Sequence, residues 1–192
     1  MVVVIRSTLT EVDMRLVATE YLSLDGVFEE PGHWSGPFFN DEAAEFKLAE
    51  LQASDALLLG RKTYEGFAAA WPSMTDEAGF AEKMNSMPKY VVSSTLDRVE
   101  WPGSRLVQGD LAAEVRRLKE EPGKDLLLSG SAQLFNALMQ ENLIDLYRFM
   151  LHPVVLGKGK RLFSEDVQKE SFQLTQTKPF KSGIVILEYE PA

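Results

Sequence analysis

The sequence contains no cysteine and only two histidines, His33 and His152, among its 192 residues. Without cysteine the chain can form neither a disulfide bond nor a thiolate zinc site. Two histidines are also too few for a multi-histidine metal centre, so we expect no bound metal. A chain without disulfides suits the reducing interior of a cell, and the expected location is therefore cytoplasmic.

Long apolar runs and basic clusters are scarce as well. The longest apolar runs, MVVVI, ALLL, DLLL and FMLHPVVLG, are far shorter than the roughly 20 residues that a membrane-spanning helix needs. The net charge is −9, and the one concentrated basic segment is GKGKR at residues 157–161. Because a nucleic-acid surface needs a broad basic face, we expect neither a membrane nor a nucleic-acid partner.

The length fits one domain with its own hydrophobic core. The first clear strand pattern, MRLVATEY, begins at Met14. We therefore predict that residues 14–192 form a single domain. Residues 1–13, MVVVIRSTLTEVD, are predicted to be a leader or a flexible extension.

Strand-like and helix-like segments alternate along the chain, which predicts an α/β fold with a mostly parallel sheet of about eight strands and helices on its faces. The last two strands alternate polar and apolar residues and are joined through KSG, which predicts a C-terminal antiparallel hairpin. The predicted strands are Arg15–Ser23, Asp55–Leu59, Lys89–Ser93, Arg105–Val107, Lys124–Leu128, Leu146–Leu156, Phe172–Lys178 and Gly183–Tyr189. The predicted helices are Asp41–Ala53, Lys62–Ala70, Glu77–Ser86, Leu111–Glu120 and Ala132–Gln140.

Three loops with a shared chemistry follow predicted strands: GRKT at 60–63, SST at 93–95 and SGS at 129–131. In an open α/β sheet, ligands bind outside the carboxyl ends of the strands, where loops lead into helix N-termini with free N–H groups. Three such loops at one edge would suit a long ligand with several phosphates, such as a dinucleotide. No strand is followed by the G-x-G-x-x-G fingerprint, so a different dinucleotide-binding fold is needed.

Each loop also has a purely structural interpretation. Ser131 is expected to cap a helix, and a strand-ending Ser-Ser pair is often only a turn. Arg61 and Lys62 could simply be solvated surface cations.

Five segments, in order and with consistent spacing from Met14 to Tyr189, resemble the dihydrofolate reductase-like superfamily. Within it they are most similar to the reductase domain of the bifunctional deaminase-reductase of riboflavin biosynthesis. The segments are EYLSLDGVFE (20–29), LLLGRKTYEGF (57–67), YVVSSTL (90–96), LLLSGSAQLFNALM (126–139) and DLYRFMLHPVVLGKGKRLF (145–163). The resemblance implies a three-layer α/β/α fold and NADPH as cofactor.

In such proteins the first two loops hold the adenosine phosphates, so the resemblance assigns them the 2′-phosphate and part of the pyrophosphate. Residues 129–134 resemble the turn that cradles the pyrophosphate, with serines where dihydrofolate reductases often have glycines. The expected cofactor-binding residues are Gly60, Arg61, Lys62, Thr63, Ser93, Ser94, Thr95, Ser129, Gly130, Ser131, Ala132, Gln133, Leu134 and Gly157.

Two acids are candidates for the catalytic role. By its position relative to Phe46, Glu42 matches the acid that orients a pterin in true dihydrofolate reductases. The helix dipole also favours acids in a first helical turn, which is the alternative explanation for Glu42. Asp25, in the turn SLDG, is expected to organise its loop and to touch the substrate.

The loop EEPGHWSGPFFN, residues 29–40, is long and aromatic, which is typical of a lid that stacks on a flat heterocycle. The alternative is that its rings only cap the core. A lysine of GKGKR, Lys158 or Lys160, could hold a substrate phosphate, whereas His152 is expected to be structural. The expected substrate-binding residues are Gly26, Trp34, Phe38, Phe46 and Lys158.

The resemblance implies an NADPH-dependent reductase of a small planar heterocycle, such as 5-amino-6-(5-phosphoribosylamino)uracil, working as a stand-alone homodimer. The sequence shows no H-x-E or P-C-x-x-C zinc signature of a deaminase, so we expect a stand-alone reductase and not the bifunctional enzyme. Two alternatives stay open: dihydrofolate reductase activity, and an NADPH-binding module without catalysis. The last would be favoured if the carboxylates of Asp25 and Glu42 both faced away from the cleft.

Overall fold

The computed structural model describes residues 13–165 and 167–192. The predicted leader therefore lies outside the described residues, except for Asp13, which forms a bridge with Pro122. Among the described residues, no helix is long and apolar enough to cross a lipid bilayer.

Eight strands form one sheet in the order β4-β3-β2-β5-β1-β6-β8-β7. The pairs from β4 to β6 are all parallel, whereas β8 pairs antiparallel with β6 and with β7. This confirms the predicted α/β fold and its C-terminal antiparallel hairpin. The strands are β1 (Arg15–Ser23), β2 (Ser54–Gly60), β3 (Lys89–Val92), β4 (Ser104–Val107), β5 (Asp125–Leu128), β6 (Leu146–His152), β7 (Phe172–Pro179) and β8 (Val185–Pro191).

Helices cover both faces of this sheet, because the central strands carry apolar side chains on both sides. One face packs Leu51, Tyr64 and Met84 from the first three helices, and the other packs Leu118 and Phe135 from the last two. The helices are α1 (Asp41–Gln52), α2 (Arg61–Ala70), α3 (Phe80–Ser86), α4 (Leu111–Lys119) and α5 (Ala132–Gln140).

Most predicted element boundaries match the observed ones or differ from them by one or two residues, and two are wrong by three residues or more. Strand β6 ends at His152 rather than at Leu156, because Pro153 follows and has no N–H to donate to a ladder. Helix α3 begins at Phe80 rather than at Glu77. Gly79 takes a left-handed φ of 82° there, and the Asp76 carboxylate accepts hydrogen bonds from the N–H groups of the first helical turn.

The chain passes from β3 to its parallel neighbour β4 through residues 93–103 without a helix. The Ser93–Thr95 loop therefore does not lead into a helix N-terminus, contrary to the expectation for all three loops. It can offer a ligand hydroxyl groups and backbone amides but no helix dipole.

Candidate active site

The three polar loops lie side by side at one edge of the sheet. They follow β3, β2 and β5, which are adjacent strands and run parallel. Their carboxyl ends therefore lie at the same edge. Strand β1 is the next neighbour of β5, so the loop that contains Asp25 continues the row.

The first and third loops touch each other, and we call residues 60–63 and 129–133 the α2/α5 junction. The Gly60 N–H donates to the Gly130 carbonyl oxygen over 3.1 Å. A Cβ atom on Gly60 would lie 2.7 Å from Ser131 Oγ, and one on Gly130 would lie 2.8 Å from Thr63 Oγ1. Glycine is thus required at both positions for the N-termini of α2 and α5 to approach each other.

The α5 side of the junction contributes fewer groups than the sequence predicts. Ser131 caps α5, because its Oγ accepts a hydrogen bond from the Leu134 N–H over 3.5 Å. The Leu134 side chain is buried in the core, so Leu134 has a packing role. Gln133 is exposed, and Ser129 and Ala132 are half-buried.

The two cations of the junction have different surroundings. Arg61 forms an exposed ion pair with Glu65, one turn further along α2, with 3.0 Å between Nη1 and Oε1. Lys62 is exposed and has no ion-pair partner in the part of the chain that the structure describes. Lys62 is therefore the more available cation for a phosphate.

The loop after β3 is held by its own first residue. Ser93 is buried, and its Oγ accepts hydrogen bonds from the N–H groups of Thr95 and Leu96 over 3.1 and 3.0 Å. Ser94 and Thr95 are exposed and remain open to a ligand. Sequence reasoning missed Gln108, which follows β4 and donates from Nε2 to the Leu96 carbonyl oxygen over 3.2 Å.

Asp25 ties two loops together at the ends of β1 and β6. Its carboxylate accepts hydrogen bonds from the Ser23 hydroxyl over 2.7 Å and from the N–H groups of Leu156 and Gly157 over 3.1 and 2.9 Å. The Ser23 hydroxyl and these amides lower the pKa of Asp25 to about 2. Asp25 is therefore ionised at neutral pH and organises the loop, and it is a poor proton donor.

Further contacts extend this connection, and we call residues 24–29 together with 156–162 the clasp. The Phe28 N–H donates to the Lys160 carbonyl oxygen, and the Leu162 N–H donates to the Gly26 carbonyl oxygen. Glu29 accepts from the Lys160 N–H over 3.1 Å. Lys158 is exposed. The clasp fixes both ends of the Gly157–Arg161 segment beside the candidate site.

Aromatic rings from the predicted lid pack against the end of β6, and we call Tyr21, Trp34, Phe38 and His152 the aromatic cluster. The Trp34 ring lies edge-on to the His152 ring with 5.1 Å between centroids, and Phe38 lies 6.1 Å away. Tyr21 approaches the same ring to 5.1 Å. The aromatic cluster therefore lies at the carboxyl end of β6, which only β1 separates from β5 and its polar loop.

His152 is fully buried within this cluster. Its Nδ1 lies 2.8 Å from the Met150 carbonyl oxygen, while Nε2 has no hydrogen-bond partner among the described residues. Burial lowers the pKa of His152, so the ring is neutral at neutral pH. These contacts are those of a packed side chain.

Glu42 lies at the same edge but is engaged by the C-terminal hairpin. Its Oε2 accepts a hydrogen bond from the Lys181 N–H over 2.9 Å, in the turn that joins β7 to β8. Phe46, one turn further along α1, contacts Phe180 of that turn with 5.7 Å between ring centroids. The structure thus brings Glu42 and Phe46 beside the aromatic cluster.

Comparisons with known proteins identify the family and the fold of the chain. The family model described as the RibD C-terminal domain matches residues 15–186. The chain belongs to the RibD C-terminal domain family. A relative from Bacillus subtilis (strain 168), the uncharacterized protein YyaP, is 33% identical over 142 residues, which cover 72% of this chain and 75% of YyaP.

Solved structures share the fold of this RibD C-terminal domain. A Shewanella sp. PV-4 protein, whose name refers to riboflavin biosynthesis, superimposes with a TM-score of 0.75 at 21% identity. The match covers 93% of this chain and 99% of that one. Dihydrofolate reductase from Enterococcus faecalis, in complex with NADP(H), gives a TM-score of 0.65 at 16% identity over 94% and 98% of the two chains. The fold is therefore that of the dihydrofolate reductase-like proteins.

Sequence reasoning missed one acid of this RibD C-terminal domain. Glu20 on β1 is only 5% exposed, and its Oε1 accepts a hydrogen bond from the Gly130 N–H over 2.8 Å. Burial raises the pKa of Glu20 to about 8. A glutamate inside a strand that is covered on both faces was the signal that could have revealed it.

Proposed function

We propose that the protein is an NADPH-dependent reductase of a small planar heterocycle, similar to 5-amino-6-(5-phosphoribosylamino)uracil reductase. The observation that carries this proposal is the α2/α5 junction, where glycines let two helix N-termini meet beside an exposed lysine. Converging N–H groups and dipoles favour an anion. Membership of the RibD C-terminal domain family supports a reductase.

The residues at the edge fit the phosphates of NADPH. The junction would hold the pyrophosphate through the free N–H groups of its first helical turns. Lys62 would neutralise the 2′-phosphate, with the exposed hydroxyl groups of Ser94 and Thr95 as further hydrogen-bond donors. When bound, NADPH supplies a hydride.

The aromatic cluster supports a flat ring as the substrate. Trp34 and Phe38 are half-buried rings at the carboxyl end of β6, and a planar heterocycle can stack on such rings. Phe46 and Glu42 border the same region from α1. Lys158, exposed on the neighbouring segment, would bind a phosphate carried by the substrate.

A second candidate, an NADPH-binding module without catalysis, is favoured by one observation. The carboxylates of Asp25 and Glu42 both accept hydrogen bonds from backbone amides within the protein. The two candidates differ in turnover: a reductase consumes NADPH when pterin-like and pyrimidine-like heterocycles are supplied. Binding of NADPH without consumption in such a screen would support the second candidate.

The cofactor assignment is tested by replacing Lys62 with alanine. The variant should bind NADPH roughly 10- to 100-fold more weakly, because a hydrogen bond to a charged group contributes about 1.5 to 3 kcal/mol. NADH lacks the 2′-phosphate, so its affinity should change little. The measurement is isothermal titration calorimetry with both cofactors on Lys62→Ala and on the double variant Arg61→Ala/Lys62→Ala.

Arg116→Ala, which removes an exposed cation from α4, is the matched control and should bind both cofactors as the wild type does. Equal losses for NADPH and NADH in Lys62→Ala would contradict the 2′-phosphate role. Failure of the wild type to bind either cofactor would reject the proposed function.

A further inference from the structure

Glu20 is a buried acid without a cation. It lies on β1, and among the described residues its carboxyl group has no ion-pair partner. The charged side chains that act on it are Lys47 and Glu50, both from α1. These two pair with each other, and Arg148 of β6 bonds to both Glu50 and Glu188, so each cation is engaged by another carboxylate. The attraction of Lys47 lowers the pKa of Glu20, but burial outweighs it.

Such an environment favours the neutral form of a carboxyl group. Moving an ionised carboxylate out of water without a partner is costly, and the group keeps its proton instead. The pKa of about 8 reflects this burial, which outweighs the Gly130 hydrogen bond. At neutral pH most Glu20 side chains therefore carry a proton.

Glu20 lies directly behind the α2/α5 junction. Both polar groups of the Gly130 backbone are engaged: its N–H donates to Glu20, and its carbonyl oxygen accepts from the Gly60 N–H. The α2/α5 junction is thus one hydrogen bond away from the Glu20 carboxyl group. An ionised Glu20 would repel a phosphate bound there, across a protein interior that screens charge poorly.

We propose that Glu20, with its carboxyl group neutral, is a positioning residue that holds the Gly130 peptide through a hydrogen bond. Dinucleotide phosphates then bind tightly at the α2/α5 junction only while Glu20 carries its proton. This inference rests on the proposed function, because it takes the α2/α5 junction as the phosphate site. At a pH above the pKa of Glu20 in the protein without cofactor, the Glu20 carboxylate must then take up a proton when the cofactor binds. The device links cofactor affinity to pH through a side chain that does not contact the cofactor.

The test is calorimetric titration with NADP⁺ at pH 6.5 and pH 9, in two buffers that differ in ionisation enthalpy. At pH 9, one unit above the pKa of Glu20, roughly one molecule in ten is protonated, so wild-type affinity should be about tenfold weaker than at pH 6.5. At pH 9 the buffer comparison should show uptake of about one proton per NADP⁺ in the wild type, where the cofactor phosphates are fully ionised and take no part.

Glu20→Gln keeps a carbonyl oxygen for the Gly130 N–H and is neutral at every pH. It should match the wild type at pH 6.5, show no tenfold loss at pH 9 and take up no proton. Glu190→Gln, at the exposed end of β8, is the control and should behave as the wild type. Lys89, with a pKa lowered by burial to about 8, is present in all three proteins, so its titration cancels in the comparison.

Infrared spectroscopy of the protein without cofactor gives an independent measurement. A neutral carboxyl band should be present in the wild type at pH 7, disappear by pH 10 and be missing from Glu20→Gln.

Equal wild-type affinities at pH 6.5 and 9, or the same loss in Glu20→Gln, would overturn this inference while leaving the proposed function in place. Absence of NADP⁺ binding at every pH would overturn both. If Glu20→Gln does not fold, the wild-type carboxyl band decides: it should be weak at pH 9 without cofactor and return when NADP⁺ binds, and no return would overturn the inference.

Discussion

At the scale of single residues, Lys89 shows how this fold accommodates a buried charge. Its side chain is fully buried at the start of β3. Nζ donates to the carbonyl oxygens of Asn85, Met87 and Pro102 over 2.8 to 3.1 Å, and it lies 4.2 Å from the centre of the Trp101 ring. One ammonium group thus satisfies three carbonyl oxygens where β3, α3 and the segment before β4 meet.

Lys89→Met should lower the free energy of unfolding by about 3 kcal/mol, because it leaves several buried carbonyl oxygens without a donor. Urea denaturation followed by circular dichroism measures this change. Lys169→Met, on an exposed loop, is the control and should stay within about 0.5 kcal/mol of the wild type. A loss for Lys89→Met as small as that of the control would show that water replaces the ammonium group.

Single residues also mark the limit of what the sequence predicts about the site. The glycines, serines and cations of the three polar loops could be predicted as a candidate site because they follow apolar runs directly. Glu20 stands out as a charged residue within the apolar strand β1, but its contact with Gly130, 110 residues further along the chain, could not be predicted. The backbone amides that donate to Asp25 and Glu42 lie more than 130 residues away along the chain, and no local pattern predicts such contacts.

At the scale of elements, α2 has one glycine at its N-cap and one in its interior, and the two have opposite roles. Gly60 caps the helix and touches the Ser131 loop, whereas a Cβ on Gly66 in the helix interior would have no atom within 4 Å. The first glycine is needed for the approach of two helices. The second only adds flexibility to the unfolded chain.

Gly60→Ala should weaken NADPH binding at least tenfold, because its Cβ would push the Ser131 loop away and separate the two helix N-termini. Gly66→Ala should leave binding unchanged and raise the free energy of unfolding by about 0.5 to 1 kcal/mol, since alanine favours a helix interior. Calorimetric titration and thermal denaturation of both variants measure these effects. Normal NADPH affinity in Gly60→Ala would show that the junction tolerates separation.

Element boundaries were predicted well where a local signal exists. Helix α5 matches its predicted range, and α2 differs only at its first residue, because the Ser131 and Gly60 positions mark their starts. The start of α3 was missed because DEAGF offers both Asp76 and Glu77 as first-turn acids. Only the left-handed Gly79 decides between them.

At the scale of the whole molecule, the fold class followed from the alternation of apolar strands and amphipathic helices. The strand order could not be predicted in this way. β5 lies between β2 and β1 in the sheet, although Asp125 of β5 follows Arg15 of β1 by 110 residues.

A buried ion network links α1 to two neighbouring strands. Arg148 of β6 bonds to Glu50 of α1 over 3.0 Å and to Glu188 of β8 over 2.6 Å. Such pairings depend on tertiary contacts that no sequence window contains.

The clasp anchors the base of the aromatic loop (residues 29–40). We therefore expect the base and the tip of this loop to move independently. Amide hydrogens of Phe28 and Leu162, bonded across the clasp, should exchange with deuterium slowly. Those of Gly32 and Gly36, which are exposed in short 3₁₀ turns, should exchange quickly. Deuterium uptake read by mass spectrometry would locate this boundary near Glu30, and equal rates on both sides would show that the loop opens as one piece. An inhibitor that displaces only the tip of the loop would leave its base anchored. The clasp would then keep β1 and β6 in the same relative orientation.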